Sequence, residues 1–570
     1  MAYFLKKTDN RKGTYLQIYF SYYDPQVRGT RHKSYRPIGY VHELQEQGID
    51  DPLTYFQVEI HDLNQAFQAQ KEQDKIREIS YDTPERSLGY FPIKNIQDAL
   101  GVDTYLNYLQ LPYHVHYSLP DVLSGLIYAR MIRPCSKFKT FHEVFPLLMD
   151  PPQLSLDQLY SALALMGNEY EKIIEIYNAQ IHARYPFLLD KTYFDCTNFY
   201  FEIDREDDFR RKGMGKDGKI CPLVGMGLLL DRHQIPIGMK LYPGNEPEKP
   251  MIRSVLANLK QRHQVQGKTV RVADKGLNCA ENIQDALREK DGYLFSRSVK
   301  MISETEKTWV LLRQDYQPTK DAKGQILYWW KECVDAFSYD MPQKDGSKKK
   351  EKIVEKRVVT YNPSLAKKKR AEIQKQIDKA KKLRTSQAKK NEYGDCAKYV
   401  HFESIDQKGH QTGAPVKVTM NQEKIDEDLA LAGYNLLVTS ELEMNAKEIY
   451  LTYHNLWRIE ESFRVMKSDL DAQPVFVGNE DAIKGHFLVC FLSVQLLRVL
   501  QFHVLENKHH TQEIVNFIKE FRVIKLSERK FVNITRRSSF GEALAEKTKL
   551  PINHYHLSWG KIKSMLTHRF

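Results

Sequence analysis

The chain has 570 residues, 42% hydrophobic and 11% aromatic, enough for about three or four domains of ordinary size and a sizeable buried core. Its net charge of +12 rests on 85 Lys and Arg against 73 Asp and Glu, and no apolar leader or run of about 18 apolar residues suggests secretion or a membrane span, so a cytoplasmic protein with no membrane partner is expected. The 7 cysteines are scattered without a Cys-x2-Cys pair, which argues against a disulfide framework or a structural zinc site.

Residues 1–45 alternate in strand fashion ("GTYLQIYFSYYD", then "KSYRPIGYV") and predict a small β module, followed by a helix from Pro52 to about Arg77. A helical block follows over about 93–185. Within it Ser118 caps "LPDVLSGLIYARMIRP", which Pro134 ends, and Ser155 caps "LDQLYSALALMGNEYEKIIEIYNAQI". The texture then changes. "KTYFDCTNFYFEI" (191–203), "PLVGMGLLLD" (222–231) and "QIPIGMKLYPGN" (234–245) read as three strands in an antiparallel meander. A helix near 251–264, the strand "KTVRVADKG", the helix "AENIQDALREK" and the strand "GYLFSRSV" complete the element order of a ribonuclease-H-like fold.

Residues 300–443 differ again, with strand-like "QILYWWKECVDAF" and "KIVEKRVVTYN" and a basic helix "PSLAKKKRAEIQKQIDKAKKL". In that helix Pro363 sits near the first turn, and Ile373, Ile377 and Ala380 form a narrow apolar stripe. Two long helices, about 445–469 and 480–504, follow "GYNLLVTS" (433–440). Between Lys344 and Lys390 there are 18 Lys and Arg against 5 Asp and Glu, so this segment holds the whole positive surplus. Such a concentration suits a phosphate-rich partner, and a merely solvated Lys-rich helix is the competing reading.

Asp195 lies in the middle of a largely apolar strand and Asp274 at the end of another, where Gly276 is expected to let the chain turn away. In a ribonuclease-H-like fold these strands are central neighbours. Two carboxylates held side by side repel, and a divalent cation relieves that repulsion, with an oxygen-only donor set favouring Mg²⁺ or Mn²⁺. A third carboxylate is sought in "YHNLWRIEESFRVMKSDL", where helical spacing puts Tyr453, Trp457, Glu460, Arg464 and Lys467 on one broad face and Glu461 about 100° away. Glu460 is therefore favoured as the ligand, against the alternative that both glutamates pair with Arg464 on the surface. "GMGKDGKI" has the letters of a phosphate-binding loop, but Ile220 follows its Lys and it joins two predicted strands, so no nucleotide cofactor is expected.

Together these residues resemble the DDE transposases of bacterial insertion sequences, in the branch of the insertion-sequence-four superfamily marked by Tyr-x2-Arg-x3-Glu-x6-Lys. Tyr453, Glu460 and Lys467 match that signature, while Leu456 stands where the Arg is expected and Arg458 follows two residues later. The resemblance implies two metal ions roughly 4 Å apart on Asp195, Asp274 and Glu460, serving DNA phosphodiester hydrolysis and strand transfer in cut-and-paste transposition. It implies double-stranded DNA partners, namely terminal inverted repeats and target DNA, and a homodimer in the DNA complex of a nucleoid-associated bacterial protein. Tyr453, Arg458, Arg464 and Lys467, with Lys367, Lys368, Lys369 and Arg370 of the basic helix, are the expected DNA contacts. The expected organisation is an N-terminal β/α module (1–90), a helical DNA-binding region (91–190), the first part of the ribonuclease-H-like core (191–299), a largely β insertion (300–443), core helices carrying the acidic residue (444–505) and a C-terminal region (506–570). A nuclease of the same fold without strand transfer, and a non-catalytic transposase-derived DNA-binding protein, are the alternatives.

Overall fold

Alternating side chains in the first 40 residues produce the expected meander: β1 (Tyr3–Asn10), β2 (Gly13–Asp24) and β3 (Gly29–Tyr40) pair antiparallel in that order. The computed structural model describes residues 2–24, 29–75, 84–214, 220–262, 267–343, 345–385, 390–403, 417–527 and 529–570. Two compact units are present, Met1–Thr83 and Pro84–Phe570. In the first, helices Val41–Glu46 and Pro52–Lys75 follow the meander, and Leu16, Leu44 and Phe56 form its small core.

The larger unit opens with β4 (Glu85–Ser87) and a set of helices that includes Leu119–Ile132, Leu156–Asn168 and Tyr170–Arg184. Ser118 and Ser155 cap the first two of these as expected, accepting from the backbone N–H groups of Asp121 and Gln158. The central sheet contains β5 (Lys191–Tyr200), β6 (Arg211–Met214), β7 (Ile220–Leu230), β8 (Pro236–Pro243), β9 (Val270–Ala273) and β10 (Gly292–Arg297). β5 runs antiparallel to β7, which pairs with β8 and with the short β6, while β5, β9 and β10 are parallel neighbours. The order 8-7-5-9-10 is the ribonuclease-H-like arrangement, and the interior of the "GMGKDGKI" turn lies outside the described residues.

Residues 300–443 interrupt that core, yet they also extend its sheet. They supply β11 (Gln317–Lys320), the long hairpin β12 (Ile326–Pro342) and β13 (Lys348–Tyr361), the separate pair β14 (Val400–Glu403) and β15 (Lys417–Met420), and β16 (Tyr434–Thr439). β16 pairs antiparallel with β10 on one side and β13 on the other, so β10 is no longer an edge and the sheet reaches ten strands. The basic helix, Pro363–Thr385, leaves β13 and buries Ala366, Ile377 and Ala380, the last two against Tyr399 and Ile425 and against Tyr393 and Cys396 respectively.

Helix Glu480–Val499 forms the centre of the larger unit, with 17 of its 20 residues buried. Its extension to Val504 is long and apolar enough to cross a membrane, but 89% of its most apolar window is buried inside the protein, as in a core helix. It crosses Leu156–Asn168 where Gly485 faces the Leu163 carbonyl and Gly167 faces the Asp481 carbonyl, contacts too close to admit a Cβ. The expected continuous helix over 445–469 is instead broken. Ala446–His454 ends, Trp457–Arg464 begins, and a π turn Val465–Asp469 follows. Between them, Leu456 N–H donates to the Tyr453 carbonyl and Ile459 N–H to the Leu456 carbonyl, three-residue bonding that tightens the chain at this point. The C-terminal part has helix Thr511–Glu520 and β17 (Arg522–Ser527), β18 (Lys530–Asn533) and β19 (His556–Ser558), which form a sheet with β4, and the last element is helix Trp559–Leu566.

Candidate active site

Parallel pairing of β5 and β9 sets Phe194 opposite Ala273. The next residues, Asp195 in the middle of β5 and Asp274 just past the end of β9, therefore come side by side on the two central strands. Asp195 is half-buried and its Oδ1 accepts from the Cys196 N–H at 2.8 Å. The same register sets β10 Phe295 opposite Ala273, which brings Ser296 alongside Asp274. The Ser296 hydroxyl donates to Asp274 Oδ1 at 2.8 Å, and the Tyr453 hydroxyl donates to the same oxygen at 2.8 Å. Burial pushes the Asp274 carboxyl up, but the Lys275 N–H, these two hydroxyls and the Lys275 charge together hold it below its ordinary value of 3.8. The Tyr453 phenol is raised by burial and by the neighbouring Asp274, so it stays protonated and donates. Gly276 is not in a left-handed conformation and a Cβ there would meet nothing, so the turn after Asp274 does not require glycine, contrary to expectation.

The two adjacent glutamates part company. Glu460 is exposed on Trp457–Arg464. Glu461 turns inward, where its Oε2 lies 3.3 Å from Arg498 and its Oε1 accepts from the Thr511 hydroxyl at 2.7 Å. Arg498 lies in the core helix with a side chain 0% exposed. Arg464, which the competing reading paired with both glutamates, is 68% exposed and lies 3.9 Å from Glu461. Among the described residues, no three His, Cys, Asp or Glu side chains converge closely enough to ligate one ion. The structure thus gathers Asp195 and Asp274 and leaves Glu460 outside any three-acid cluster.

Of the expected DNA contacts near Glu460, two face the protein. Tyr453 is engaged by Asp274, and Lys467 Nζ donates to Thr197 Oγ1 at 2.8 Å and to the Asn198 carbonyl at 2.7 Å, tying the π turn to β5. Arg458 stacks over the exposed Trp457 and over Phe502, at 4.5 and 5.2 Å from the ring centroids. Leu456, at the signature's Arg position, is buried in the core. Lys367, Lys368, Lys369 and Arg370 are all exposed on the basic helix, where Lys369 pairs with Glu372. Sequence reasoning missed Ser296 and Arg498. A serine in "GYLFSRSV" and an arginine inside the apolar "FLVCFLSVQLLRVLQF" were the available signals, since each is a polar residue on a buried element.

The family of the transposase DDE domain matches residues 188–496, a span containing Asp195, Asp274 and Glu460. No curated protein matches the chain. Among solved structures, the cryo-EM structure of the piggyBac transposase synaptic complex with hairpin DNA is similar at 10% identity, over 75% of this chain and 77% of that one, with a TM-score of 0.37, a likeness too distant to carry conclusions.

Proposed function

Because the chain belongs to the transposase DDE domain family, we propose that it binds the terminal inverted repeats of an insertion sequence and catalyses metal-dependent DNA cleavage and strand transfer. The observation that carries this reading is the pair Asp195 and Asp274, delivered together by the register of two parallel strands at the centre of the sheet. Two such carboxylates, one of them held ionised by hydroxyl and amide donors, form a hard oxygen donor set that fits Mg²⁺ or Mn²⁺. Glu460 completes the set in this proposal, since Glu461 is already engaged by Arg498.

The metal, when bound, supplies Lewis-acid stabilisation of the phosphodiester oxygens and lowers the pKa of a bound nucleophile. The chain's own residues do the rest. Tyr453 and Ser296 both hold Oδ1 of Asp274, which orients the carboxylate. Lys467 anchors the segment after Glu460 to β5, and the Glu461–Arg498 pair anchors the Glu460 helix to the core. Exposed Arg464, the Arg458–Trp457 stack and the basic run Lys367–Arg370 present positive charge to DNA phosphates. The protein acts, in this reading, as a bacterial cytoplasmic enzyme paired as a homodimer on two DNA ends.

The test is an assay with DNA carrying the element's own ends and Mg²⁺. Joined products support transposition, whereas cleavage without joining points to a nuclease of the same fold, and binding alone to a non-catalytic DNA-binding protein. If Asp195→Ala, Asp274→Ala and Glu460→Ala each leave cleavage intact, the site assignment is wrong.

A further inference from the structure

A cavity of about 550 Å³ opens where the segment after Lys467 meets the helical region, lined by Arg130, Lys137, Lys139 and His486 and by residues from Asp471 to Val477. Arg130 and Lys137 are only 5% and 4% exposed, yet both lie on its wall. They converge on a single neutral acceptor. His486 Nε2 lies 3.0 Å from the Ala472 carbonyl, which requires a proton on that nitrogen and leaves Nδ1 as a lone pair. Lys137 Nζ is 3.2 Å and an Arg130 amino group 3.4 Å from that Nδ1, and Arg130 also donates to the Leu470 carbonyl.

These contacts use a minority of the eight N–H donors that an ammonium and a guanidinium carry. Among the described residues neither cation forms an ion pair with a carboxylate, and the one acid on the cavity wall, Asp471, is exposed. Burial and the adjacent Arg130 depress the Lys137 ammonium well below its ordinary value, and burial with both cations does the same to His486. Burying like charges beside one another without a counter-charge is expensive, and arginine cannot escape by losing its proton. An anion in the cavity removes that cost. The planar fork of Arg130 beside the point charge of Lys137 suits the several oxygens of a phosphate.

We propose that the Arg130–Lys137–His486 cavity is a phosphate-binding site, separate from the Asp195–Asp274 pair. That the phosphate belongs to DNA rests on the transposase reading; that the site takes phosphate does not. The segment Leu470–Val477, which forms one wall, continues directly from the helix and π turn that carry Glu460 and Lys467, so an occupied cavity braces that segment.

The test uses the full chain and inorganic phosphate as the probe. Thermal unfolding in phosphate is compared with chloride at matched ionic strength for wild type and Lys137→Met. Wild type is expected to melt higher in phosphate, and the variant to lose that difference while melting higher than wild type in chloride, because a buried unpaired cation is gone. Lys137→Gln, which keeps a donor to His486 without the charge, serves if the methionine variant does not fold and is expected to lose the phosphate response equally. No phosphate-specific rise in wild type, or a rise the variants retain, overturns the proposal. A DNA arm identifies the source. If the salt slope of DNA binding falls by about 0.9 in the variant, as for one lost phosphate contact, the site holds a DNA phosphate; an unchanged slope with the phosphate response lost assigns it to free phosphate. The phosphate arm involves neither DNA nor cleavage, so its failure leaves the transposase reading standing, and the reverse also holds.

Discussion

Replacing Glu461 by Ala leaves the Arg498 guanidinium, fully buried in the core helix, without the only carboxylate that pairs with it among the described residues. At 3.3 Å and an effective dielectric of about 20 the two charges attract by roughly 5 kcal/mol. The Thr511 hydroxyl loses the nearer of its two acceptors as well, keeping Gln501 Oε1 at 3.2 Å. Removing one partner of a buried pair costs about 3 to 5 kcal/mol, because the remaining charge stays desolvated and uncompensated. Glu461→Ala should therefore lower the urea midpoint of the larger unit by up to about 1 M, since m grows with the size of the unit. Glu460→Ala, at an exposed position one residue earlier, should leave the stability within roughly 0.5 kcal/mol of wild type, as is typical of surface changes, while abolishing cleavage. The pair of variants separates stability from chemistry at adjacent acids. The reasoning is refuted if Glu461→Ala is as stable as wild type, or if it is stable and inactive while Glu460→Ala cleaves normally, since Glu461 would then be the acid that matters.

Tyr453→Phe removes one hydroxyl from Asp274 Oδ1, so the depressed pKa of Asp274 should rise. A depressed carboxyl contributes stability that is present above its unfolded value of 3.8 and lost as pH falls through the folded value, so the variant should lose part of that contribution and the acid limb of its cleavage profile should move to higher pH. An unmoved acid limb in a pH–rate series would count against the contact. Gly485→Ala drives a Cβ into the Leu163 carbonyl and should destabilise the larger unit by about 1 to 3 kcal/mol, read by denaturation. Changing Lys367, Lys368 and Lys369 together to Gln should weaken DNA binding across sequences and flatten its salt dependence, with unfolding unchanged because all three are exposed.

What the sequence by itself determined was local. Alternation and turn residues marked the strands from Lys191 to Arg297 in their ribonuclease-H-like order, Ser118 and Ser155 marked helix starts, and Asp195 and Asp274 stood out as acids in apolar strands. Each signal needs only the period of one element and the cost of burying a charge. Tertiary structure decided everything that depends on who faces whom. The side-by-side placement of Asp195 and Asp274 follows from inter-strand register, and the joining of β13 and β16 to β10 comes from pairing across more than 50 residues, neither of which a single strand's pattern encodes. Helical spacing over Tyr453 to Lys467 presumes an unbroken helix, and three-residue bonding through Leu456 to Ile459 interrupts it. Glu460 and Glu461 have identical chemistry. They are told apart because an arginine about 37 residues away is buried where only one of them can reach it, and an unpaired buried charge costs more than the fold can spare.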